Sequence, residues 1–402
     1  MGSLLLIIIY IAFISLGLPD SILGSAWPSM YPELDVPISY AGILSMIIAA
    51  GTIFSSIFAA KLIQKWGTGL ITLCSVSLTA IALTGFGTAS SFTQLILWAI
   101  PYGLGAGSVD AGLNNCAAIH YQVRHLNWLH CFWGVGATLG PCIMGTLLTR
   151  GMNWQSGYLV IAIIQVLLSL VLLLSLPLWK KAVHSSSNLP SDPKSSPSCS
   201  TKNSLSLCNS FRLKGTWQVM IIFFCYCTIE STTGLWAGSY LAIYRGIDPQ
   251  TAAQWVAIFY LGITLGRFFC GWATFWFSNQ RLIQSGLILI CAGSTLLTFS
   301  GGSSFWLGGL ILIGLGCAPI FPGMLHQTPE RFGTDHSQSI MGIQMASGYM
   351  GTTLMPPFFG ILAEKMSLSL LPYYLLINLL LMGIIIWMLG TPTKVSKSDS
   401  TN

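Results

Sequence analysis

The sequence predicts an all-α membrane protein whose twelve transmembrane helices form two six-helix halves with pseudo-two-fold symmetry. Apolar residues make up 53% of the 402-residue chain and charged residues only 7%, whereas a soluble domain carries about 25% charged residues. Apolar stretches of about 20 residues, the length that crosses a bilayer, recur along the chain. One long polar segment separates the first six stretches from the last six.

The N-terminal half, residues 1–181, carries the first six predicted spans. The chain is apolar from Leu4 onward, lacks a basic leader, and continues into Asp20 without a cleavage-like site, which favours a transmembrane helix over a signal peptide. Short polar connections separate the later spans. The six spans are predicted at 4–30, 39–60, 70–87, 92–119, 127–149 and 154–178.

Residues 182–214 are rich in Ser and Pro and show no hydrophobic periodicity, which is typical of a disordered linker. The C-terminal half, residues 215–390, repeats the pattern of the first half, and residues 391–402 form a polar tail. Its six spans are predicted at 216–242, 250–274, 282–299, 304–325, 337–362 and 368–390.

The positive charges predict the orientation. Three basic residues fall on one side of the membrane, Arg150, Arg245 and Lys365, and Arg267 lies inside span eight. By the positive-inside rule, the side with more Lys and Arg is cytoplasmic. We therefore expect a protein of the plasma membrane whose two termini and linker are cytoplasmic. The net charge of +6 is therefore a topology signal and does not indicate nucleic acid. The residues on the richer side are Lys61, Lys65, Arg124, Lys180, Lys181, Lys194, Lys202, Arg212, Lys214, Arg281, Arg331, Lys394 and Lys397.

The two halves repeat in sequence at an offset of about 210 residues. Parallel six-helix repeats joined by a cytoplasmic linker are typical of the major facilitator architecture, in which the substrate lies at the midplane between the halves. The matches are "GLG" at 103–105 and 314–316, Gly51 with Gly262, Gly140 with Gly351, and Asp20-x3-Gly24 with Glu230-x3-Gly234.

Three acidic residues, Asp20, Asp110 and Glu230, lie inside predicted spans. An ionisable group in a membrane helix is by default a functional hypothesis; the alternative is a neutral carboxyl group bonded to a neighbouring helix. Burial favours the neutral form of a carboxyl group, so Asp110 is the predicted proton carrier. Asp20 follows Pro19, which can break the helix, and is predicted to bind substrate and to assist coupling. Glu230 is a predicted substrate residue.

Aromatic and histidine side chains supply further candidates. Trp27, Trp133 and Trp236 offer flat apolar faces to a pyranose ring, although tryptophan at the membrane interface is common. His130 is a candidate hydrogen-bonding group. His120, His125 and His130 are each five residues apart, a spacing that does not fit a metal site on one helix face. No phosphate-binding loop is visible, so we do not expect ATP as the energy source. No nucleophile–base pair is visible, so we do not expect an enzyme, and we expect no cofactor.

Three motifs resemble the fucose–proton symporter family of the major facilitator superfamily: "GLPDSILGSAWP", "GLGAGSVDAGLNN" and "LNWLHCFWGVGATLGP". The resemblance places the family's span-one acid on Asp20, and its span-four acid and asparagine on Asp110 and Asn114. At two positions that contact sugar in that family, this chain has His130 and Trp133 instead of Gln and Asn. The resemblance therefore implies a sugar symporter, and these two substitutions argue against fucose as its sugar.

Two further motifs bear on gating and direction. "AAKLIQKWGTG" resembles the superfamily's second-loop motif and keeps Lys65 as a gating candidate, but it has Gln64 where Asp is usual. Arg267 is the second gating candidate, with helix carbonyls or a carboxylate as its expected partner. The pattern Gly136-x3-Gly140-Pro141 resembles the antiporter motif of drug exporters.

These observations predict a monomeric, proton-coupled symporter of a sugar or similar small polar solute that works by alternating access. Its expected partners are that small molecule and membrane lipid. A proton-driven exporter of drugs or metabolites remains the alternative, and a receptor or scaffold is a third class. Na⁺ remains open as the coupling ion.

Overall fold

A computed structural model of the chain describes residues 2–120, 123–187, 211 and 213–390. These residues form α-helices joined by short turns, with no strand in the described part. In the first half the helices are α1 (Gly2–Asp20), α2 (Ile22–Glu33), α3 (Tyr40–Trp66), α4 (Thr68–Thr88), α5 (Phe92–His120), α6 (Val123–Thr149) and α7 (Trp154–Ser187). In the second half they are α8 (Thr216–Ser239), α9 (Pro249–Ala273), α10 (Asn279–Thr298), α11 (Ser303–Cys317), α12 (Ile320–Phe332), α13 (Thr334–Lys365) and α14 (Leu371–Leu389).

The predicted all-α membrane fold is confirmed. Ten helical stretches of the described chain are long and apolar enough to cross a membrane. The two other long helices, α5 and α13, cover predicted spans four and eleven. Span one consists of α1 and α2, and span ten consists of α11 and α12. Span seven continues from α8 into one π-helical turn, Tyr240–Tyr244.

Two details differ from the sequence prediction. Span ten is interrupted at Ala318 and Pro319, because proline has no N–H with which to continue the preceding helix. Helix α7 extends to Ser187, past the predicted end of span six, since the residues after the apolar stretch begin with the helix formers Lys180, Lys181 and Ala182. The rest of the predicted linker, apart from 211 and 213–214, and the tail lie outside the described residues.

The predicted repeat is visible as matching glycine contacts in the two halves. A Cβ on Gly51 of α3 would lie 3.1 Å from Gly103 of α5. In the second half a Cβ on Gly262 of α9 would lie 3.3 Å from Gly314 of α11. Glycines let helix backbones approach this closely. The two contacts use positions related by the same sequence offset, so the halves share one packing scheme.

The halves are packed tightly together at the end of the molecule away from the linker, which we call the distal end. A Cβ on Gly24 of α2 would lie 2.1 Å from the carbonyl oxygen of Gly234 of α8. A Cβ on Gly42 of α3 would lie 2.6 Å from Cα of Pro357 of α13. Any side chain larger than hydrogen would separate the halves at either place. The structure is therefore a conformation closed at its distal end.

Candidate functional site

The break in span one positions Asp20. Proline lacks the N–H that a helix normally donates to the carbonyl four residues earlier, so Pro19 leaves the Ser15 carbonyl without its helical donor. Gln165 of α7 supplies a replacement, because its Nε2 donates to that carbonyl at 2.5 Å. Helix α1 then ends at Asp20, and α2 begins one residue after it. The predicted proline break is confirmed at the acid.

Trp133 of α6 binds the Asp20 carboxylate. The two helices can come close because a Cβ on Gly17 or Gly136 would lie only 2.1 or 2.0 Å from a backbone carbonyl oxygen of the other helix. At this separation Trp133 Nε1 donates to Asp20 Oδ2 at 2.9 Å. Asp20 is exposed and Trp133 is half-buried. An N–H donor thus orients the carboxylate while part of its surface remains open to a ligand.

The second half contributes an ion pair. Arg267 of α9 lies 3.6 Å from Glu230 of α8, and the two side chains are 11% and 17% exposed. The same guanidinium nitrogen donates to the Tyr226 hydroxyl at 3.4 Å. Arg267 Nε is buried and has no hydrogen-bond partner. The partner of Arg267 is therefore a carboxylate of its own half, deep in the bundle, and not a set of helix carbonyls.

Arg267 and Trp133 connect the two sides. The guanidinium carbon of Arg267 lies 5.5 Å from the centroid of the Trp133 ring, within the range of a cation–π contact. The Trp133 ring also meets Tyr260 edge to face, with centroids 6.5 Å apart. We call Asp20, Trp133, Glu230, Arg267 and Tyr226 the central cluster. It brings together four predicted site residues from both halves.

His130 lies at the same junction. Its ring is 6.2 Å from Phe321 of α12 and 6.3 Å from Phe13 of α1, measured between centroids. The histidine side chain is half-buried. The structure thus places the predicted hydrogen-bonding histidine between the halves, three residues before Trp133 on the same helix.

Trp27 and Trp236 lie apart from the central cluster, toward the distal end. Both rings are fully buried. Trp27 Nε1 donates to the Ile38 carbonyl at 2.8 Å, and Trp236 Nε1 donates to the Pro356 carbonyl at 2.8 Å. In this conformation both tryptophans pack the closed end of the molecule.

The remaining predicted residues lie elsewhere. Lys65 is exposed in the last turn of α3, with its Nζ 5.2 Å from the centroid of the Trp66 ring. Asp110 and Asn114 are in α5, but their side chains lie outside the described part of the structure, as do those of His120 and His125. Among the described residues, no group of three His, Cys, Asp or Glu side chains could hold a metal ion.

Sequence reasoning missed three residues of this region. Tyr226 lies four residues before Glu230, and Tyr260 lies seven residues before Arg267, so each shares a helix face with a charged residue. That periodicity could have identified both tyrosines. Gln165 has no comparable signal, because only the folded structure shows which side chain reaches the carbonyl that Pro19 leaves without a helical donor.

The distal side of the central cluster is closed. Asp20 is exposed, whereas all but one of residues 21–30 and all of residues 232–241 are buried on its distal side. The described helices therefore close the path between Asp20 and the distal end. A solute bound at Asp20 could not enter or leave through the distal end in this conformation.

A family comparison covers nearly all of the chain. The Major Facilitator Superfamily matches residues 9–274 and 219–402. The chain is 21% identical over 392 residues to Bypass of stop codon protein 6 of Saccharomyces cerevisiae, covering 90% of this chain and 77% of that protein. It is also 21% identical over 360 residues to an uncharacterized MFS-type transporter of Yersinia pestis, covering 86% of each.

Solved structures show the same fold. A bacterial homologue of the human lysosomal transporter Spinster, in an inward-facing and unoccupied conformation, superposes with a TM-score of 0.73 at 12% identity, over 96% of both chains. A mutant of the nucleoside transporter NupG superposes with a TM-score of 0.72 at 13% identity, over 95% of this chain and 98% of that one. At this identity the likeness concerns the fold alone.

Proposed function

The chain belongs to the Major Facilitator Superfamily, whose members are membrane transporters and not enzymes, and on that premise we propose that it is a proton-coupled sugar symporter. The solute is a sugar or a similar small polar molecule, and the protein is a monomer of the plasma membrane with cytoplasmic termini. Membership of the family by itself shows that the protein is a multi-pass membrane transporter.

The observation that carries the proposal is the central cluster itself. Two carboxylates, one guanidinium and one indole from both halves meet inside a membrane protein. Charged groups at this depth are costly and mark substrate and ion pathways. Carboxylate and guanidinium groups bind hydroxyls through charge-assisted hydrogen bonds, and the Trp133 ring offers an apolar face to a sugar ring.

Alternating access supplies the transport step. In the proposed cycle the conformation closed at the distal end gives access to Asp20 from the linker end, and a rocking motion of the halves would expose it to the distal side. The exposed Asp20, half-buried Trp133 and half-buried His130 are the proposed solute contacts, with Glu230 and Arg267 opposite them. Asp110 remains the predicted proton carrier in the first half.

Uptake into proteoliposomes tests the proposal. Purified protein is reconstituted, and a set of radiolabelled sugars is offered with and without an imposed pH gradient, acidic outside. We expect at least one solute to accumulate above its external concentration only when the gradient is present. Accumulation that requires a Na⁺ gradient instead would replace the proton as the coupling ion, and uptake that neither gradient drives would overturn the symporter proposal.

The direction of coupling separates the symporter from the exporter suggested by the glycine pattern of α6. In the structure, Gly136 and Gly140 seat α6 against α1, because a Cβ on either would lie within 2.5 Å of a carbonyl oxygen of α1. This packing serves a symporter equally well. In inverted vesicles acidified inside, an exporter would accumulate the solute, whereas a symporter would drive it out.

A further inference from the structure

Arg267 is buried, and part of its hydrogen-bonding capacity is unused. A guanidinium carries five N–H donors, and its contacts with carboxylates are ordinarily about 2.7–2.9 Å long. Here the contacts with Glu230 and Tyr226 are 3.6 and 3.4 Å, and Nε has no hydrogen-bond partner. Burying a charged donor without a good acceptor is costly. The arginine is thus arranged for a stronger acceptor than it has in this structure.

That acceptor can reach Arg267 from the space between the halves. The guanidinium lies over the ring of Trp133, which belongs to the opposite half. The indole N–H of the same ring holds the exposed Asp20. A solute placed beside Trp133 therefore meets a cation on one side and a carboxylate on the other. Such a pair of groups suits a molecule with an anionic end and a hydroxylated end.

We propose that the transported solute is a sugar acid. Its carboxylate binds Arg267 in place of Glu230, its hydroxyls bind Asp20, and Glu230 takes up the accompanying proton. This inference rests on the proposed function, since it takes the central cluster to be the solute site of a proton-coupled transporter. It adds two points to that function: the solute is an anion, and Glu230 carries a proton in addition to the one on Asp110.

Charge balance links the acid to the proton. With Asp20 and Glu230 ionised, these two groups and Arg267 together carry one net negative charge. An anion that entered alone would raise this to two, and additional buried charge is expensive in a low-dielectric interior. A proton on Glu230 restores the original net charge and also frees Arg267 from its counter-ion. Acid and proton therefore bind together or not at all.

The ion pair with Arg267 links Glu230 to the binding of the acid. Among the described residues, Arg267 is the cation that faces Glu230. A proton on Glu230 therefore removes the anionic partner of Arg267. Acid binding then becomes stronger as the pH falls, by up to tenfold per pH unit for one linked proton. The titratable groups that interact with Glu230 or face it across the cluster are Tyr226 and Cys227 of α8, Arg267 and Tyr260 of α9, Cys317 of α11 and Asp20 of α1.

Binding to the purified full-length transporter tests the inference with matched pairs of probes. Each acid is measured beside its neutral partner: D-glucuronate with D-glucose, D-galacturonate with D-galactose, and D-gluconate with D-sorbitol. Calorimetry at pH 5.5 and pH 7.5 gives the affinities. We expect at least one acid to bind at least about tenfold more tightly than its neutral partner, with the higher affinity at pH 5.5.

Two variants and one control test the roles of Arg267 and Glu230. Arg267→Gln should weaken acid binding by about tenfold to a hundredfold, the loss of a charge-assisted hydrogen bond, and leave the affinity for neutral sugars within a few-fold. Glu230→Gln, which imitates the protonated carboxyl, should keep acid binding and lose its pH dependence. Glu364→Gln alters an exposed glutamate at the end of α13 and should behave as the wild type. If Arg267→Gln does not fold, Arg267→Lys keeps the charge and should give a smaller loss.

The outcomes distinguish this inference from the proposed function. Neutral sugars that bind as tightly as the acids, or an equal loss of both in Arg267→Gln, would overturn the sugar-acid inference and leave a proton-coupled sugar symporter intact. Acid binding that does not change with pH would overturn the role of Glu230. If neither acids nor neutral sugars bind to the wild type or accumulate under a pH gradient, the inference and the proposed function fail together.

Discussion

Asp20 shows how the neighbours of a single residue determine its environment. Pro19 ends α1 at the acid, Gln165 satisfies the carbonyl that the proline leaves without a donor, and Trp133 donates to the carboxylate. A carboxylate in a regular helix would have no such opening. The acid, the proline and the tryptophan were identifiable in the sequence, and the structure adds the contacts among them.

Asparagine variants of Asp20 and Asp110 separate solute binding from proton coupling. Asparagine resembles a protonated carboxyl in shape and cannot release a proton. Asp110→Asn should exchange labelled for unlabelled solute and concentrate it far less, because the proton that Asp110 carries is lost. Asp20→Asn should lose binding and exchange together. A driving force of about 150 mV supplies roughly 3.5 kcal/mol per proton, enough for an accumulation of a few hundred-fold, so the two phenotypes are easy to tell apart. Undiminished uphill transport by Asp110→Asn would remove that residue from the coupling step.

Trp133→Phe tests the indole that joins the two halves. Phenylalanine keeps an apolar ring, loses the N–H that orients Asp20, and is a weaker partner for the Arg267 cation. We expect a loss of about 1 kcal/mol, a fivefold to tenfold weaker solute affinity, with little change in folding. Trp154→Phe is the matched control, because it removes an indole N–H that binds Glu33 at 2.7 Å near the distal end. Equal effects of the two variants on affinity would argue against a special role for Trp133.

At the scale of elements, Gln165 and Pro19 form a pair that a double-mutant cycle can test. Gln165→Leu leaves the buried Ser15 carbonyl without a donor and should cost about 1–3 kcal/mol of stability. Pro19→Ala restores a backbone N–H that can bond to the same carbonyl. The cost of Gln165→Leu should therefore be smaller in the Pro19→Ala background, and thermal unfolding of the four proteins measures the coupling. Additive effects would mean that Gln165 does not compensate for the proline.

Much of the fold could be predicted from the sequence because membrane spans have a simple physical signature. Length and apolarity located all twelve spans, and repeated glycines related the halves, since a glycine contact between backbones must recur wherever the packing recurs. The interruption of span ten at Pro319 was missed, because a proline inside an apolar run does not say whether its helix kinks or stops.

The site was less accessible to sequence reasoning. Four of its members could be identified as charged or aromatic residues inside spans, yet Arg267 was expected at a gate and is paired with Glu230 in the central cluster. Position along a helix gives depth in the membrane, whereas the direction of a side chain depends on how the neighbouring helices pack. For the same reason the sequence could not show that, in this conformation, the indole N–H groups of Trp27 and Trp236 bond to backbone carbonyls at the distal end.

At the scale of the whole molecule, the orientation in the membrane gives the conformation its physiological meaning. The excess of Lys and Arg at the linker end predicts that this end is cytoplasmic, which would make the distal closure an extracellular one. A single cysteine placed within residues 188–210 of a cysteine-free variant should resist membrane-impermeant thiol reagents in intact cells and react after permeabilisation. Labelling in intact cells would reverse the orientation, and the closed distal end would then face the cytoplasm.

The glycine contact between the halves can be used to shift the conformational equilibrium. A Cβ on Gly24 would lie 2.1 Å from the Gly234 carbonyl oxygen, so Gly24→Val should hold the distal end apart. Overpacking of this kind costs about 1–3 kcal/mol, which corresponds to a shift of about 5- to 150-fold between the two conformations.

A cysteine at Ser239, which is fully buried in α8 near this contact, reports the shift when it is introduced into a cysteine-free background. In Gly24→Val it should react with an impermeant thiol reagent applied to the distal side, and transport should slow because the cycle requires both conformations. Gly271→Val is the matched control, since a Cβ there has no neighbour within 4 Å, and it should leave both readouts unchanged. A folded Gly24→Val protein whose Ser239→Cys reporter stays protected would show that the distal contact is static packing. The gate that opens in transport would then have to lie elsewhere along the interface between the halves.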